Sequence, residues 1–259
     1  MPQLWKNYAT LSLRTINRTA RRKYRRRGRE SRGRLRGNRE VLDALYDRGF
    51  RSCAVIVAHP DDETLWAGGT ILLNPRLRWT VIALTRADDR DRAPRFYNAL
   101  ETLGAAGMMG NLDDSPEQPP LPSDALEQTI LSLLPDHTFD LILTHGPKGE
   151  YTRHRRHEET SRAVAAILAD GRLRADQAVT FAYEDDAGNC LPRPVVNPDF
   201  LIDLPEEVWQ TKHRIVTQTY GFAPDSFEAR TTPRREAFRL LRTNHNNILR
   251  QHHENSRSL

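Results

Sequence analysis

Cysteine is scarce in this 259-residue chain: Cys53 and Cys190 are the only two. Two thiols make no disulfide framework, so stability must come from a packed core, and a reducing cytoplasm is the simplest setting. Cys53 sits inside an apolar run and reads as a small core residue. No apolar run approaches the roughly 18 residues that a membrane span needs. A secretory signal, with basic start, apolar middle and small-residue cleavage site, is also lacking. No period of 20–50 residues recurs, which excludes a repeat array. Hydrophobic residues make up 38% and charged residues 28%, the balance of a globular protein with a polar surface.

Acidic residues are nearly missing from the first 40 positions. There 14 Lys/Arg face only Glu30 and Glu40, a local charge of +12, while the remainder carries −7. Residues 1–37, with Arg-Arg-Lys-Tyr-Arg-Arg-Arg-Gly-Arg at 21–29, form a basic N-terminal extension. Such density of one sign repels itself and buries too little to fold alone. Leu4, Trp5, Tyr8, Leu11, Leu13 and Ile16 fit a basic amphipathic helix within it. The extension is expected either to contact anionic lipid or nucleic acid, with peripheral membrane association, or to be a solvated tail.

From residue 38 onward, helix-like and strand-like segments alternate, and residues 38–259 read as one α/β domain. Residues 38–50 look like a short helix ending near Gly49. Cys53–Ala58, β-branched at Val55, Ile56 and Val57, reads as a buried strand. A helix follows from Gly68, then a strand over Trp79–Leu84 and a helix over Pro94–Gly104. The proline-rich stretch 115–122 is a loop. A helix over Asp124–Leu134, a strand over Phe139–Thr144, a helix over 157–170 and a strand over Gln177–Tyr183 come next. A short strand near 199–203 and helices over Pro205–Tyr220 and Pro233–Leu249 complete the reading. The alternation predicts a Rossmann-like, mainly parallel, doubly wound sheet with helices on both faces. In that order the strand ending at His59 lies beside the strand ending at Thr144, and ligands bind at such a switch point.

Chemistry concentrates at those two strand ends. His59-Pro60-Asp61-Asp62-Glu63 joins an imidazole to carboxylates within five residues. Catalytic zinc takes three N or O ligands and keeps one position open. His59 and Asp62, three apart, can converge on one ion; Asp61 between them points elsewhere and can reach water on the ion. The second segment runs Thr144-His-Gly-Pro-Lys-Gly-Glu-Tyr-Thr-Arg-His-Arg-Arg-His-Glu-Glu to 159. His154 and His157 share a face at a helix mouth, so one can ligate while the other faces what the ion holds. His145 reads as loop support rather than a ligand.

Ala-His-Pro-Asp-Asp-Glu, Gly-Gly-Thr, a Thr-Arg loop and Thr-His-Gly-Pro-x-Gly-Glu-Tyr with a following His-x-x-His resemble the zinc-dependent N-deacetylases of the LmbE/PIG-L type, across about residues 50–220. The resemblance implies a Rossmann-like fold and Zn2+ as cofactor. It implies hydrolysis of an N-acetyl group on an N-acetylglucosamine-type conjugate. His59, Asp62 and His157 become the zinc ligands, Asp61 the general base, and His154 the side chain at the oxyanion. The chain departs from the pattern at Arg155-Arg156, where many members have Pro-Asp. Glu158 or Glu159 then has to orient His154, or another group does.

Arg86, Arg92, Asp113, Asp114 and Tyr151 are the candidate substrate contacts, in loops that border the same sheet edge. Lys212, His213 and Gln218 lie on a helix expected to cover one side. Two rival readings are a metallohydrolase acting on another bond and a non-enzymatic binder of anionic surfaces that uses the basic extension.

Overall fold

Val55, Ile56 and Val57 lie at 0% exposure in the computed structural model, inside strand β1 (Ser52–Val57). The model describes residues 49–152 and 154–241. The extension over 1–37, nearly all of the helix expected over 38–50, and His245, His252 and His253 lie outside the described residues.

After β1 come helix α1 (Asp62–Leu73), β2 (Arg78–Thr85), α2 (Arg92–Leu103) and β3 (Ala106–Leu112). Then follow α3 (Ser123–Leu133), β4 (Thr138–Thr144), α4 (Arg155–Ala169) and β5 (Arg174–Phe181). The C-terminal part holds β6 (Tyr183–Glu184), β7 (Arg193–Pro194), β8 (Phe200–Asp203), α5 (Glu206–Arg214), a π-helix (Ile215–Thr219), α6 (Phe227–Thr231) and β9 (Arg235–Leu240). The main sheet has the order β3-β2-β1-β4-β5-β9-β8. Its first five strands pair in parallel, and β9 is antiparallel to both β5 and β8. The expected neighbours therefore meet: Ile56 of β1 is opposite Thr144 of β4, with the reversal of strand order between them.

Period-2 alternation divides the core between the two faces. Ala54, Ile56, Ile82, Leu84 and Ile142 pack with Leu126 and Ile130 of α3 and with Ala163, Val164 and Ile167 of α4. Cys53, Val55 and Val57, also fully buried, are left for the other face, and there α1 contacts α2 and α5.

Among the elements that differ from the sequence reading are β3 and β9. The sequence of β3, Ala-Gly-Met-Met-Gly-Asn-Leu, carries two glycines and little strand propensity, and no element was expected there. The glycines are required by close approach: a Cβ on Gly107 would lie 2.1 Å from the Val81 carbonyl oxygen. Neighbouring backbone, not propensity, selects the strand. The second difference corrects the helix expected over Pro233–Leu249: residues 235–240 are β9. Pairing on both sides holds them extended, and Glu236, which helical spacing would leave on a solvent face, is fully buried.

Glu236 also accounts for part of the Gly-Gly-Thr motif. Its carboxylate accepts the N–H groups of Gly69 and Thr70 at 2.7 Å each, the Thr70 hydroxyl at 2.6 Å and the Lys212 ammonium at 2.7 Å. A Cβ on Gly69 would lie 2.4 Å from the Leu204 side chain and 2.9 Å from Glu236 Oε1, so a larger residue there would have to displace both side chains. Lys212, expected on a covering helix, is instead at 0% exposure and ties α5 to β9. Burial lowers its pKa, against the opposing Glu236 charge. Removing one partner of a buried pair strands the other charge. Lys212→Met is expected to cost about 3–5 kcal/mol in urea unfolding, and Lys212→Met with Glu236→Gln distinctly less.

Candidate metal centre

The end of β1 leads into a sharp turn. Asp61 has φ 126° and ψ −30°, and its carbonyl accepts the N–H groups of Thr64 and Leu65, so α1 begins at once. This puts His59 and Asp62 side by side. The end of β4 leads through Gly146 to Thr152 into α4, whose first turn carries His157.

Three donor atoms meet at nearly equal separations. His59 Nδ1 is 3.1 Å from Asp62 Oδ2 and 3.2 Å from His157 Nε2, and His157 Nε2 is 3.2 Å from Asp62 Oδ2. A tetrahedral ion with bonds of about 2.0–2.1 Å spaces its donors by about 3.3–3.4 Å. Two imidazoles and one carboxylate, a set zinc accepts, thus present one triangular face of such a site.

The outer atoms of all three are tied. His59 Nε2 is 3.1 Å from Asp114 Oδ1, and Asp114 Oδ2 accepts from Arg86 Nε at 2.7 Å. His157 Nδ1 is 2.6 Å from Glu150 Oε2. Trp66 Nε1 donates to Asp62 Oδ1 at 3.1 Å, leaving Oδ2 on the inner side. Each imidazole therefore gives its outer N–H to a carboxylate, which sets the tautomer that turns a lone pair inward. Asp114 and Arg86, expected to touch substrate, are engaged here in holding His59.

The charges follow from this crowding. Burial would lower the His59 pKa, but Asp114 and Asp62 leave it raised; for His157, Asp62 likewise outweighs burial. Burial would raise the Asp62 pKa, but His157 and His145 hold it well below the usual carboxylate range. Burial pushes Asp61 well up, the Asp62 charge adds to this, and His59 and Arg92 oppose it. Arg92 Nη1 lies 3.4 Å from Asp61 Oδ2.

Two further histidines adjoin the triangle. Other nitrogen and oxygen sets, His59 with His154 and His157, or Asp62 with His145 and His157, are also close enough to share an ion. His145 Nε2, however, accepts the Ala58 N–H at 3.0 Å, while Nδ1 faces Glu150 Oε2 at 2.8 Å. Burial lowers its pKa, yet Glu150 and Asp62 push it up to about 9. A cation bound by Asp62 would offset one of those charges, and the Ala58 N–H then favours the neutral Nδ1–H form of His145. This geometry matches loop support.

His154 occupies the N-cap position of α4 without a side-chain capping hydrogen bond. Its ring stacks on His157 at 4.2 Å and meets the edge of His59 at 4.5 Å. Burial, then the charges of His157 and His59, push its pKa down to about 3, so the ring is neutral. His154 Nδ1 is buried without a partner. Neither glutamate expected to orient it does so. Glu159 accepts from Arg156 at 2.6 Å and from the Leu121 N–H at 3.2 Å, and Glu158 lies 4.0 Å from Arg162. Arg156, at 1% exposure, also donates to the carbonyls of Asp113 and Pro119 and to Asp113 Oδ2. Arg156 thus clamps the 113–121 loop, and Asp113, expected as a substrate contact, is engaged in that clamp.

Tyr151 stands beside the triangle, its ring 5.5 Å from His154, 5.4 Å from His157 and 5.0 Å from Phe227. Burial and the Asp62 charge raise its pKa, so the phenol keeps its proton. Glu150, Trp66, Tyr220 and Phe227 were given no role by the sequence reading. Glu150 alone had a signal there, within the Gly-Glu-Tyr run.

A doubly wound α/β fold with a two-histidine, one-carboxylate face at its switch point defines the class. Residues 54–168 match the model of the family described as PIG-L: GlcNAc-PI de-N-acetylase. The chain carries a PIG-L-type region over that span, as its motifs implied, and the match supports a hydrolase of the de-N-acetylase kind. A curated protein of Acanthamoeba polyphaga mimivirus is 23% identical over 185 residues, 65% of this chain and 75% of its own. Among solved structures, the N,N'-diacetylchitobiose deacetylase of Pyrococcus horikoshii superposes with a TM-score of 0.57 at 16% identity, covering 82% of this chain and 94% of that one. The 4-carboxy-2-hydroxymuconate hydratase GalB of Pseudomonas putida gives 0.53 at 18%, covering 75% and 97%. At such identities the likeness is one of fold.

Metal binding must release the protons that raised imidazole pKa values hold. Zinc affinity is expected to fall as pH is lowered, and to start falling above the ordinary histidine value of 6.5 because both imidazole pKa values are raised, as read by competition with a chromogenic chelator. The metal-free protein has the opposite trend from these two groups: a raised folded pKa stabilises below the unfolded value and is lost as pH rises. Asp114→Asn is expected to weaken zinc by about 10–100-fold while a substrate contact would leave zinc affinity unmoved.

Proposed function

We propose that the chain is a zinc-dependent amidohydrolase that removes an N-acetyl group from an N-acetylglucosamine-type sugar conjugate. Water adds across the amide C–N bond, and the products are acetate and a free amine. The observation that carries this reading is the triangle of His59 Nδ1, Asp62 Oδ2 and His157 Nε2, with the Asp61 carboxylate next to it in sequence and on the same sheet edge.

The donor set fits zinc, which when bound would act as a Lewis acid towards water and an amide carbonyl. His59, Asp62 and His157 hold the ion. Asp61 takes a proton from the attacking water and returns it to the departing amine. Its raised pKa suits both halves of that transfer, since a base works best with a pKa near the working pH. Neutral His154 offers a ring N–H to the oxygen on which negative charge develops. Arg92 holds Asp61 by its ion pair, and Tyr151 walls the site with its proton retained. The likeness to a hydratase as well as a deacetylase makes the fold a poor guide to the bond broken; the donor triangle and the family match favour the amide.

An acetate-release assay over a panel of N-acetylglucosaminides, with zinc restored, tests the reading. Wild type is expected to turn over at least one member. Asp61→Ala is expected to lose at least about 10²-fold in kcat, within the range for a removed general base, with zinc stoichiometry kept. Silence across the panel, with one zinc bound per chain, would leave a metal centre and remove the sugar claim. Residues 1–37 are proposed to contact anionic surfaces; such binding would fall steeply with salt.

A further inference from the structure

The backbone at Asp61, with φ 126°, is one that a residue bearing a Cβ adopts only when its surroundings impose it. Two arms reach it, and both come from the end of the π-helix, about 160 residues away in sequence.

The first arm runs through Glu63. This side chain is fully buried, and its Oε2 accepts the Asp61 N–H at 2.9 Å. Its Oε1 accepts the Tyr220 hydroxyl at 2.7 Å and the Thr64 hydroxyl at 2.5 Å. Tyr220, 3% exposed, directly follows the π-helix and bonds back to the Ile215 carbonyl at 2.9 Å. The second arm runs through Arg92, which faces Asp61 Oδ2. The Arg92 guanidinium lies 4.7 Å from the Phe222 ring centroid and 6.0 Å from that of Tyr220.

The segment is itself clamped. Arg95 Nη1 donates to the Tyr220 carbonyl at 2.9 Å and to the Thr219 carbonyl at 3.3 Å, and Arg95 Nη2 pairs with Asp91 at 2.8 Å. Gly221 has φ 79°, and a Cβ there would lie 2.4 Å from Arg95 Nη1. A π-turn inserts one residue into a helical run. The insertion sets the phase at which Tyr220 emerges, and the emerging hydroxyl meets Glu63 rather than solvent.

We propose that Tyr220, acting through Glu63, is a positioning residue for Asp61. It holds the Asp61 N–H, and with it the turn that separates the Asp61 carboxylate from the ion-facing Asp62. This rests on the reading of Asp61 as the proton acceptor.

Tyr220→Phe removes only the hydroxyl, and Glu63→Gln replaces one acceptor oxygen by an NH2 group. Each is expected to lower kcat for acetate release by about 10–100-fold, as misplacement of a reacting group does. KM and zinc affinity should stay within about two-fold of wild type, because neither residue touches the donor triangle. In an Asp61→Asn background the same substitutions should add no further loss. A crystal structure of Tyr220→Phe should show the Asp61 φ moved from its wild-type value. Equal losses in both backgrounds, a zinc affinity that falls in step with kcat, or an unchanged kcat would overturn the proposal. A wild type that releases no acetate from any member of the panel removes the sugar claim instead; an unmoved Asp61 backbone in either variant then overturns the positioning role.

Discussion

Parallel pairing of β1 with β4 is the constraint on which the rest depends. The register sets Ile56 against Thr144, so the two chain ends leave the sheet at the same height. His59 and Asp62 then come from one strand end, and His157 from the loop and helix after the other. A slip of one residue would turn the buried side chains of β1 to the other face and carry the histidine away from its partners. The apolar run from Cys53 to Ala58 is therefore as much a part of the candidate metal centre as the donor side chains.

A second constraint is electrostatic. Five ionisable groups, His59, Asp62, His145, Glu150 and His157, are crowded into a region with almost no solvent. Carboxylates and imidazoles alternate: Asp114 holds His59, Glu150 bridges His145 and His157, and Asp62 faces both rings of the donor triangle. Each charge is compensated by a neighbour, as burial demands. The pair left out of this balance is informative. Asp61 has its pKa raised and His154 has its pKa lowered, which are the directions that suit a proton acceptor and a neutral donor.

Much of this was legible in the sequence. The strand before His59, the loop after Thr144 and their adjacency followed from apolar runs and from alternation of strands and helices. The spacing of His59 and Asp62 pointed to one ion. Other parts were not legible because their reasons are distant in sequence. Gly107 lies in a strand only because Val81 leaves no room for a side chain. Residues 235–240 are extended because β5 and β8 pair with them. Arg156 stood in the sequence only as a departure from the family pattern, yet it is buried against the carbonyls of a loop about 40 residues earlier. Arg86 and Asp114 looked like substrate contacts because exposed charges in a loop near a site are not distinguishable, in sequence, from charges that hold a ligand.

The sequence by itself determined the kinds of donor and the strand ends that carry them, because periodicity and short spacing are local properties. Only the tertiary structure decided which oxygen of Asp62 faces inward, which carboxylate turns each imidazole, and what holds Asp61 in its turn. Those choices are made by hydrogen bonds with Trp66, Asp114, Glu150 and Glu63; Asp114 meets His59 from 55 residues away and Tyr220 meets Glu63 from 157, and such bonds exist only once the fold has brought the segments within 3 Å or so of each other.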